Sequence, residues 1–428
     1  MLSHLIIDKP KRHEISVAGF RVRTRAAGVE HLCKEGSMTL KSGFQFAEAQ
    51  LLLEMAQRAY AGTPSLTEAV ATCGVPSVPD PSSNWAVRKD LTPTSATLLD
   101  NYWQVWQNQS DTTQYAIAVR GTVASAASVL ADLLFPLINA RFDVKLGPIS
   151  LPFYLARDEG DSAVKAGVHS GFALSLLLML FTTDSPLFVT LGLLAEQGND
   201  VYITGHSQGA SIATLLTSLV RHSTDVFKGP AYKTYTFAPA KAGNDHYAYD
   251  YARLAAVDGY GWAVTSTQDW VPQAPFALEW ISDLNTPNPL RGFGGSPDPE
   301  AMIALGSVVT GGESAVNRVR DDAVRRLKQR VESLSRRLTS ETIHLTAADL
   351  GAATAAPITG STISDLIQQI LDQLQASLNY ADVGALLPLF ANPGGNPTDG
   401  TPGCQKLDYF WQHHLGNYLK YMKQQYGG

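Results

Sequence analysis

The chain has 428 residues, of which 45% are hydrophobic and 17% are charged, and its formal net charge is −6. This composition is ordinary for a globular protein, and the length is sufficient for a large hydrophobic core. Proteins that bind nucleic acid usually carry a basic excess, so the acidic balance gives no reason to expect a nucleic-acid partner.

The three cysteines, Cys33, Cys73 and Cys404, lie far apart and form no CxxC pair. Their number and spacing argue against a disulfide framework and a zinc site, while one disulfide between any two of them stays open. The sequence has no HExxH motif, no calcium-loop spacing of Asp and Glu, and no glycine-rich phosphate loop. We therefore expect no metal and no cofactor.

Two apolar segments bear on the cellular location. The apolar run near the N-terminus is too short for the core of a signal peptide, and charged residues follow at once. The most apolar stretch, 172–194, is interrupted by the segment 182–186 and falls short of a membrane span. We expect a soluble, cytoplasmic protein without a visible signal peptide, and secretion stays open if a leader was removed.

Hydrophobic spacing predicts the first elements of the chain. Apolar residues recur at helical spacing over 44–60, which predicts a helix. Residues 61–95 are rich in Pro, Ser and Thr and are predicted to be loop. Residues 98–107 and 114–120 are predicted to form paired strands. The second is nearly all apolar, as expected for a strand buried on both faces.

Strands and helices alternate in the next part of the chain. A helix that follows a short entry is predicted over 167–180, a short strand over 200–204, and a helix of small residues over 210–221. Two further strands are predicted over 232–238 and 262–267. This alternation is typical of the α/β class, with a mostly parallel sheet covered by helices on both faces.

The pattern changes after about residue 290. A stretch rich in Gly and Pro, 291–300, precedes two amphipathic helices predicted over 316–338 and 363–378. Strand-like patterning resumes at 380–389.

These changes predict the domain organisation. We expect an N-terminal extension over 1–45, a core formed by 46–290 and 379–428, and a helical insertion over 291–378. The insertion is interpreted as a cap, a lid or an interaction surface.

One pentapeptide carries the chemistry of the core. Gly205-His206-Ser207-Gln208-Gly209 lies between a predicted strand and a predicted helix. Gly-x-Ser-x-Gly in this context is typical of a nucleophile elbow, a tight strand–turn–helix that exposes the serine hydroxyl. Ester hydrolysis needs such a nucleophile, a base to take its proton, and donors for the oxyanion. Ser207 is therefore the predicted nucleophile.

Four further stretches resemble the motifs of one enzyme family and occur in the family's order. They are Ala118-Val119-Arg120-Gly121-Thr122 with Ala131-Asp132, Val168-His169-Ser170-Gly171-Phe172, Tyr235-Thr236-Phe237-Ala238-Pro239, and Asp269-Trp270-Val271-Pro272. Together with the elbow they resemble the fungal-type (class 3) lipase family of α/β-hydrolases, over about 46–280 and again over 380–428. The resemblance implies an α/β-hydrolase fold. The helical insertion predicted over 291–378 is longer than the family's usual connection at this place, and it separates the predicted catalytic Asp from the His.

The resemblance also implies the residue roles. Ser207 would attack the acyl carbon, with the backbone N–H of Gln208 and Thr122 as oxyanion donors. Asp269 would orient and stabilise the charged imidazole of the base. Asp258 is the alternative acid, although its surroundings are predicted to be loop.

The base has to be chosen among the histidines that follow Asp269, because triads on this fold run Ser, acid, His. These are His344, His413 and His414. His344 falls within the predicted insertion. The run from His413 to Tyr418 resembles the family's His-x-Leu-x-x-Tyr, which favours His413 and leaves His414 as the alternative. His206 and His169 are predicted to be structural.

Two features suggest a lipid substrate. The apolar segment 126–139 lies where the family carries a lid helix, although a core helix would look the same. A predicted basic helix over 318–337 could contact an anionic lipid surface, although a solvated helix face is the more frequent explanation.

The expected substrates are acylglycerols and p-nitrophenyl esters, hydrolysed through an acyl-enzyme. The alternatives are a phospholipase A1, a feruloyl esterase or a polyester-degrading hydrolase with the same triad. A non-enzymatic binding or scaffold protein on the same fold is a further alternative. Beyond the ester substrate and transient contact with a lipid interface, the sequence indicates no partner.

Overall fold

The computed structural model describes most of the predicted core. The described residues are 40–63, 74–123, 136–147, 149–160, 164–224, 226–275, 363–375, 379–393 and 409–427, together with 325 and 329. Several expectations lie outside them. These are the three cysteines, His344, nearly all of the extension 1–45, most of the segment 126–139, and the insertion apart from its last helix. No described helix is both long and apolar enough to cross a membrane.

The strands and helices of the described residues alternate as the sequence predicts. The strands are β1 (Trp85–Val87), β2 (Trp103–Asn108), β3 (Gln114–Val119), β4 (Leu137–Asn139), β5 (Arg141–Leu146), β6 (Ile149–Tyr154), β7 (Gly167–His169), β8 (Asp200–His206), β9 (Tyr232–Phe237), β10 (Gly261–Ser266) and β11 (Ala385–Leu389). The helices are α1 (Phe46–Arg58), α2 (Ser170–Phe181), α3 (Leu187–Glu196), α4 (Gln208–His222), α5 (Asp245–Tyr251), α6 (Ile363–Asp372) and α7 (Leu415–Tyr426).

Seven strands form the central sheet in the order β1-β2-β3-β8-β9-β10-β11. The first three pair antiparallel, and every pair from β3 to β11 is parallel. Parallel neighbours need crossover connections, which are supplied here by helices such as α4 between β8 and β9. The mostly parallel sheet predicted from the sequence is confirmed.

Helices cover both faces of this sheet. In β3, Ile117 and Val119 join the hydrophobic cluster formed with α2, α3, α4 and α6. Ala116 and Ala118 point to the other face and join the cluster formed with α1 and α7. Successive side chains of a strand point to opposite faces, so an uninterrupted apolar run is what a doubly covered strand requires.

Three parts of the chain differ from the predictions. The predicted loop over 61–95 contains β1, which pairs with β2 and forms one edge of the central sheet. The strand predicted from residue 98 begins at Trp103, because 97–101 form a hydrogen-bonded turn. The antiparallel pairs β4–β7 and β5–β6 form two small sheets beside the central one and were not predicted. None of these changes alters the fold class.

Strand β11 follows β10 in the sheet although many residues separate them in the chain. The predicted insertion is therefore connected between two neighbouring parallel strands. Its last helix, α6, begins at Ile363 as predicted, but it ends at Asp372 and not at residue 378. It packs against α2 and β5. The boundaries of the insertion stay a prediction.

Candidate active site

Ser207 lies at the turn between β8 and α4 with φ 59° and ψ −130°, a strained backbone conformation for a residue with a Cβ. Glycine is required on both sides of it. A Cβ on Gly205 would lie 2.4 Å from the carbonyl oxygen of Gly209, and a Cβ on Gly209 would lie 2.4 Å from that of Val119. The motif therefore forms a strand–turn–helix elbow, because only glycines allow the backbones to approach this closely.

Asp269 and His413 are brought together although 144 positions separate them in the chain. Asp269 follows the carboxyl end of β10, and His413 ends a short 3₁₀ turn just before α7. His413 Nδ1 lies 2.7 Å from Asp269 Oδ2, and both side chains are buried. A carboxylate only accepts hydrogen bonds, so Nδ1 carries the proton and the neutral ring has its lone pair on Nε2. This is the tautomer that a general base needs.

Tyr418 adds a contact to the acid that the sequence interpretation missed. Its hydroxyl donates to Asp269 Oδ2 at 2.7 Å and accepts from the backbone N–H of Ser266 at 3.1 Å. Burial raises the pKa of Tyr418 well above its ordinary value, and the neighbouring Asp269 charge raises it further. The phenol therefore stays protonated and keeps donating to the carboxylate. The His-x-Leu-x-x-Tyr pattern contained this residue, but no role was assigned to it.

His206 contacts the candidate base from the other side. Its ring lies 4.6 Å from the ring of His413, and its Nε2 lies 2.9 Å from the backbone carbonyl oxygen of His413. Its Nδ1 lies 3.0 Å from the hydroxyl of Tyr60. Burial lowers the pKa of His206 well below 6.5, and the nearby His413 lowers it further, so the ring is neutral. It donates through Nε2 and accepts through Nδ1, and thereby links the elbow to the base.

The candidate oxyanion donors lie at the two segments that flank the nucleophile. Gln208 is the first residue of α4, where N–H groups point out of the helix end and the helix dipole is positive. Thr122 is buried and follows Gly121. A Cβ on Gly121 would lie 3.1 Å from Ser207 Cβ and 2.3 Å from the carbonyl oxygen of His206. The segment that carries Thr122 is thus in close contact with the elbow.

The alternative site residues lie elsewhere. His414 precedes α7, and its carbonyl accepts from the N–H groups of Asn417 and Tyr418, while the contact to Asp269 is made by His413. Asp258 precedes β10 and Asp269 follows it, so the two residues lie at opposite ends of this strand.

His169 is at the N-cap of α2, as its predicted structural role suggests. Its ring stacks on Phe172 at 3.8 Å, and its Nδ1 accepts from the N–H of Phe172. Within the described ranges, no group of three or more His, Cys, Asp or Glu side chains could hold a metal ion.

Exposed aromatic side chains lie beside the acid and the base. Trp270, Tyr409 and Phe390 are 44%, 79% and 70% exposed. Trp270 Nε1 donates to the carbonyl of Tyr409 at 3.0 Å, and its ring lies 5.2 Å from that of Phe410. The segment after β11 is tied to the same region, because Ala391 N–H donates to the hydroxyl of Thr267. We call Trp270, Tyr409 and Phe390 the aromatic rim.

Sheet topology, helical cover and a serine elbow after a central parallel strand together define an α/β-hydrolase. The family model described as lipase (class 3) matches residues 116–279. This match confirms the resemblance that the motifs indicated, and it supports a lipase-type ester hydrolase. It includes Thr122, Ser207 and Asp269 and ends before His413.

Solved structures with a similar fold include lipases of two fungi. Lip2 lipase from Yarrowia lipolytica is 19% identical, with 55% of this chain and 76% of that chain covered and a TM-score of 0.37. Rhizomucor miehei triacylglyceride lipase is 18% identical, with 55% and 77% covered and a TM-score of 0.35. M37 lipase is 15% identical, with 89% and 94% covered and a TM-score of 0.45. No curated protein matches the sequence.

Proposed function

We propose that the protein hydrolyses carboxylic esters through a triad of Ser207, His413 and Asp269. The hydrogen bond from His413 Nδ1 to Asp269 Oδ2 carries this proposal. It leaves Nε2 of the imidazole as the basic nitrogen. His206, the residue before Ser207 in the elbow, has its ring 4.6 Å from the ring of His413, so the candidate base lies next to the elbow.

The reaction proceeds in two halves. Ser207 Oγ attacks the acyl carbon while His413 Nε2 takes its proton, which forms a tetrahedral oxyanion. The backbone N–H of Gln208 and the Thr122 donor stabilise the oxyanion. His413 then gives the proton to the leaving alcohol, and an acyl-enzyme remains. Water, deprotonated by the same nitrogen, attacks the acyl-enzyme. The bond between the acyl carbon and Ser207 Oγ breaks, His413 returns the proton to Ser207 Oγ, and the acid is released, so that one water is consumed for each ester.

Asp269 and Tyr418 support the base. When His413 takes the proton, the ring becomes a cation, and the buried Asp269 carboxylate stabilises it at 2.7 Å. Tyr418 holds the carboxylate in place through a second hydrogen bond of the same length. Neither residue exchanges a proton with the substrate.

For the substrate we propose acylglycerols presented at a lipid–water interface. The aromatic rim supports this choice, because aromatic side chains tolerate the boundary between an apolar and an aqueous phase. All three rim residues are among the exposed large hydrophobic side chains of the described residues. Trp270 and Tyr409 lie on the segments that carry Asp269 and His413, and Phe390 follows the adjoining end of β11.

The test compares a soluble ester with an emulsified one. Wild-type protein should hydrolyse both p-nitrophenyl butyrate and emulsified tributyrin, and Ser207→Ala should hydrolyse neither. Turnover of the soluble ester alone, or preference for a phospholipid, feruloyl or polyester substrate in the same assay, would contradict the acylglycerol assignment. Absence of any Ser207-dependent turnover would favour a binding protein.

The contribution of the aromatic rim is tested with Tyr409→Ser and Phe390→Ser. Both variants should lose a larger factor of activity on the emulsion than on p-nitrophenyl butyrate, because only the emulsion presents an interface. Tyr249→Ser removes an aromatic side chain of comparable exposure, 65%, from α5 and is the matched control. Equal losses on both substrates would remove the support that the rim gives to a lipid substrate.

A further inference from the structure

A buried turn at residues 97–101 lies between the two segments that carry the candidate oxyanion donors. The N–H of Thr97 donates to the carbonyl of Asn101, and the N–H of Asp100 donates to the carbonyl of Thr97, both at 2.9 Å. The Thr97 hydroxyl accepts from Asn101 N–H and donates to Asn101 Oδ1, each at 3.2 Å. Asn101 Oδ1 accepts a hydrogen bond within the turn, and the Nδ2 of the same amide is left as a donor to residues beyond the turn.

That outward donor reaches the residue after the nucleophile. Asn101 Nδ2 lies 3.3 Å from Oε1 of Gln208, and both residues are only 1% exposed. The two residues are 107 positions apart in the chain. The side chain held by this bond belongs to the residue whose backbone N–H is a candidate oxyanion donor.

The same turn also contacts the segment that carries Thr122. The carbonyl of Asp100 accepts from the Arg120 guanidinium at 2.7 Å, and the backbone N–H of Arg120 donates to the carbonyl of Tyr102 at 2.8 Å. The guanidinium lies over the ring of Tyr102. Arg120 stands two positions before Thr122, so one turn contacts the chain on both sides of the nucleophile.

We propose that Asn101 is a positioning residue that fixes Gln208 and thereby aims its backbone N–H at the oxyanion. This proposal rests on the proposed ester hydrolysis. An oxyanion donor acts only if it points to where the negative charge develops, and a small misplacement costs a large part of its effect. A side chain anchored in a rigid turn limits rotation of the peptide that carries the donor. The anchor therefore acts in the transition state rather than in substrate binding.

The chain supplies a matched control for this interaction. Asn108 Nδ2 donates to Gln114 Oε1 at 3.0 Å, which is the same type of pair between β2 and β3. Gln114 begins β3, which runs parallel to β8, so this pair lies at the amino ends of these strands. The elbow lies at the carboxyl end of β8. The control pair is part-buried and the Asn101 pair is buried, so Asn108→Ala reports the loss of an Asn–Gln hydrogen bond away from the elbow. A loss of catalysis should follow only from deletion of Asn101.

The experiment measures kcat and KM for p-nitrophenyl butyrate in Asn101→Ala, Gln208→Met, the double variant and Asn108→Ala. Gln208→Met removes the acceptor from the other end of the bond and keeps the backbone N–H. Each single variant of the pair should lower kcat about 10- to 100-fold with KM within about twofold. The double variant should be no worse than the worse single one, since both remove one interaction.

Three results would overturn the proposal while wild-type activity and its dependence on Ser207 remain intact. They are an unchanged kcat in Gln208→Met or in a folded Asn101→Ala, additive losses in the double variant, and an equal loss in Asn108→Ala. If Asn101→Ala does not fold, Gln208→Met alone decides the question. Wild-type protein without Ser207-dependent turnover would instead contradict the proposed function, and this inference with it.

Discussion

Two buried His–Asp pairs lie near opposite ends of α4. Near the first residue of the helix, His413 contacts Asp269 at 2.7 Å. His222, the last residue of the helix, contacts Asp250 at 2.5 Å. The helix has 15 residues, so its two ends are about 22 Å apart. Both pairs join an imidazole nitrogen to a carboxylate oxygen, through Nδ1 in His413 and through Nε2 in His222, and His222 is slightly more exposed than His413. Their difference shows that a His–Asp pair alone does not identify a catalytic site.

Their surroundings separate the two pairs. Asp269 accepts from the neutral hydroxyl of Tyr418, whereas Asp250 also contacts the Arg253 guanidinium at 3.3 Å. A serine also follows a histidine at each end of α4, Ser207 after His206 and Ser223 after His222. Ser223 caps the C-terminus of α4, where backbone carbonyls and the helix dipole disfavour an oxyanion. The elbow occupies the N-terminus, where the dipole favours negative charge. These differences support the catalytic role that we propose for the His413 pair, and we expect the His222 pair to contribute to stability.

The largest expected difference between the pairs is in activity. Asp269→Asn should lower kcat about 10⁴-fold, because the carboxylate that holds the base in its tautomer and stabilises the imidazolium is lost. Asp250→Asn should leave kcat on p-nitrophenyl butyrate unchanged. Similar losses in both variants, measured on folded protein, would abolish the distinction.

The next difference is in stability. His222→Ala removes the hydrogen bond to buried Asp250 and should lower the free energy of unfolding by about 1–3 kcal/mol. Urea denaturation followed by fluorescence measures this change, and ester hydrolysis below the transition is the control. A variant of wild-type stability, or one that is stable and inactive, would contradict a purely structural role.

A smaller effect is expected from Tyr418→Phe. The hydroxyl that donates to Asp269 is lost while the ring stays, so kcat should fall about tenfold with KM nearly unchanged. Tyr247→Phe is the control, because the buried hydroxyl of Tyr247 contacts Ser218 within the helical layer and not the site. Equal kcat values in the two variants would remove Tyr418 from the positioning of the acid.

The smallest effect concerns acid stability. Burial alone would raise the pKa of Asp250, but its contacts with His222 and Arg253 lower it overall below 3.8. A depressed carboxyl pKa stabilises the fold above the unfolded pKa, and the contribution disappears as pH falls through the folded value. Between about pH 5 and pH 3, wild-type protein should therefore lose more stability than Asp250→Asn. Parallel losses in the two proteins would contradict this linkage.

The sequence predicted the parts of the molecule that depend on local pattern. The elbow follows from glycines spaced around Ser207, and the buried strands follow from apolar runs such as that of β3. The choice between His413 and His414 could not be derived locally, because the residues are adjacent and a single 3₁₀ turn decides which ring contacts Asp269.

Contacts between distant segments were equally inaccessible to the sequence. The hydrogen bonds of Asn101 to Gln208 and of Tyr60 to His206 join residues more than a hundred positions apart. They depend on the order of strands in the sheet, which periodicity does not specify. The β5–β6 hairpin was missed although β5 (Arg141–Leu146) alternates buried residues with more exposed ones, which is a signal that the sequence contained.

The most direct test of the triad is labelling by a fluorophosphonate, which reacts only with an activated serine. Mass spectrometry should place a single adduct on Ser207 of the wild-type protein, and labelling should be lost in Ser207→Ala and strongly slowed in His413→Ala. His414→Ala should label faster than His413→Ala. An unlabelled wild-type protein, or rapid labelling of His413→Ala, would contradict the account.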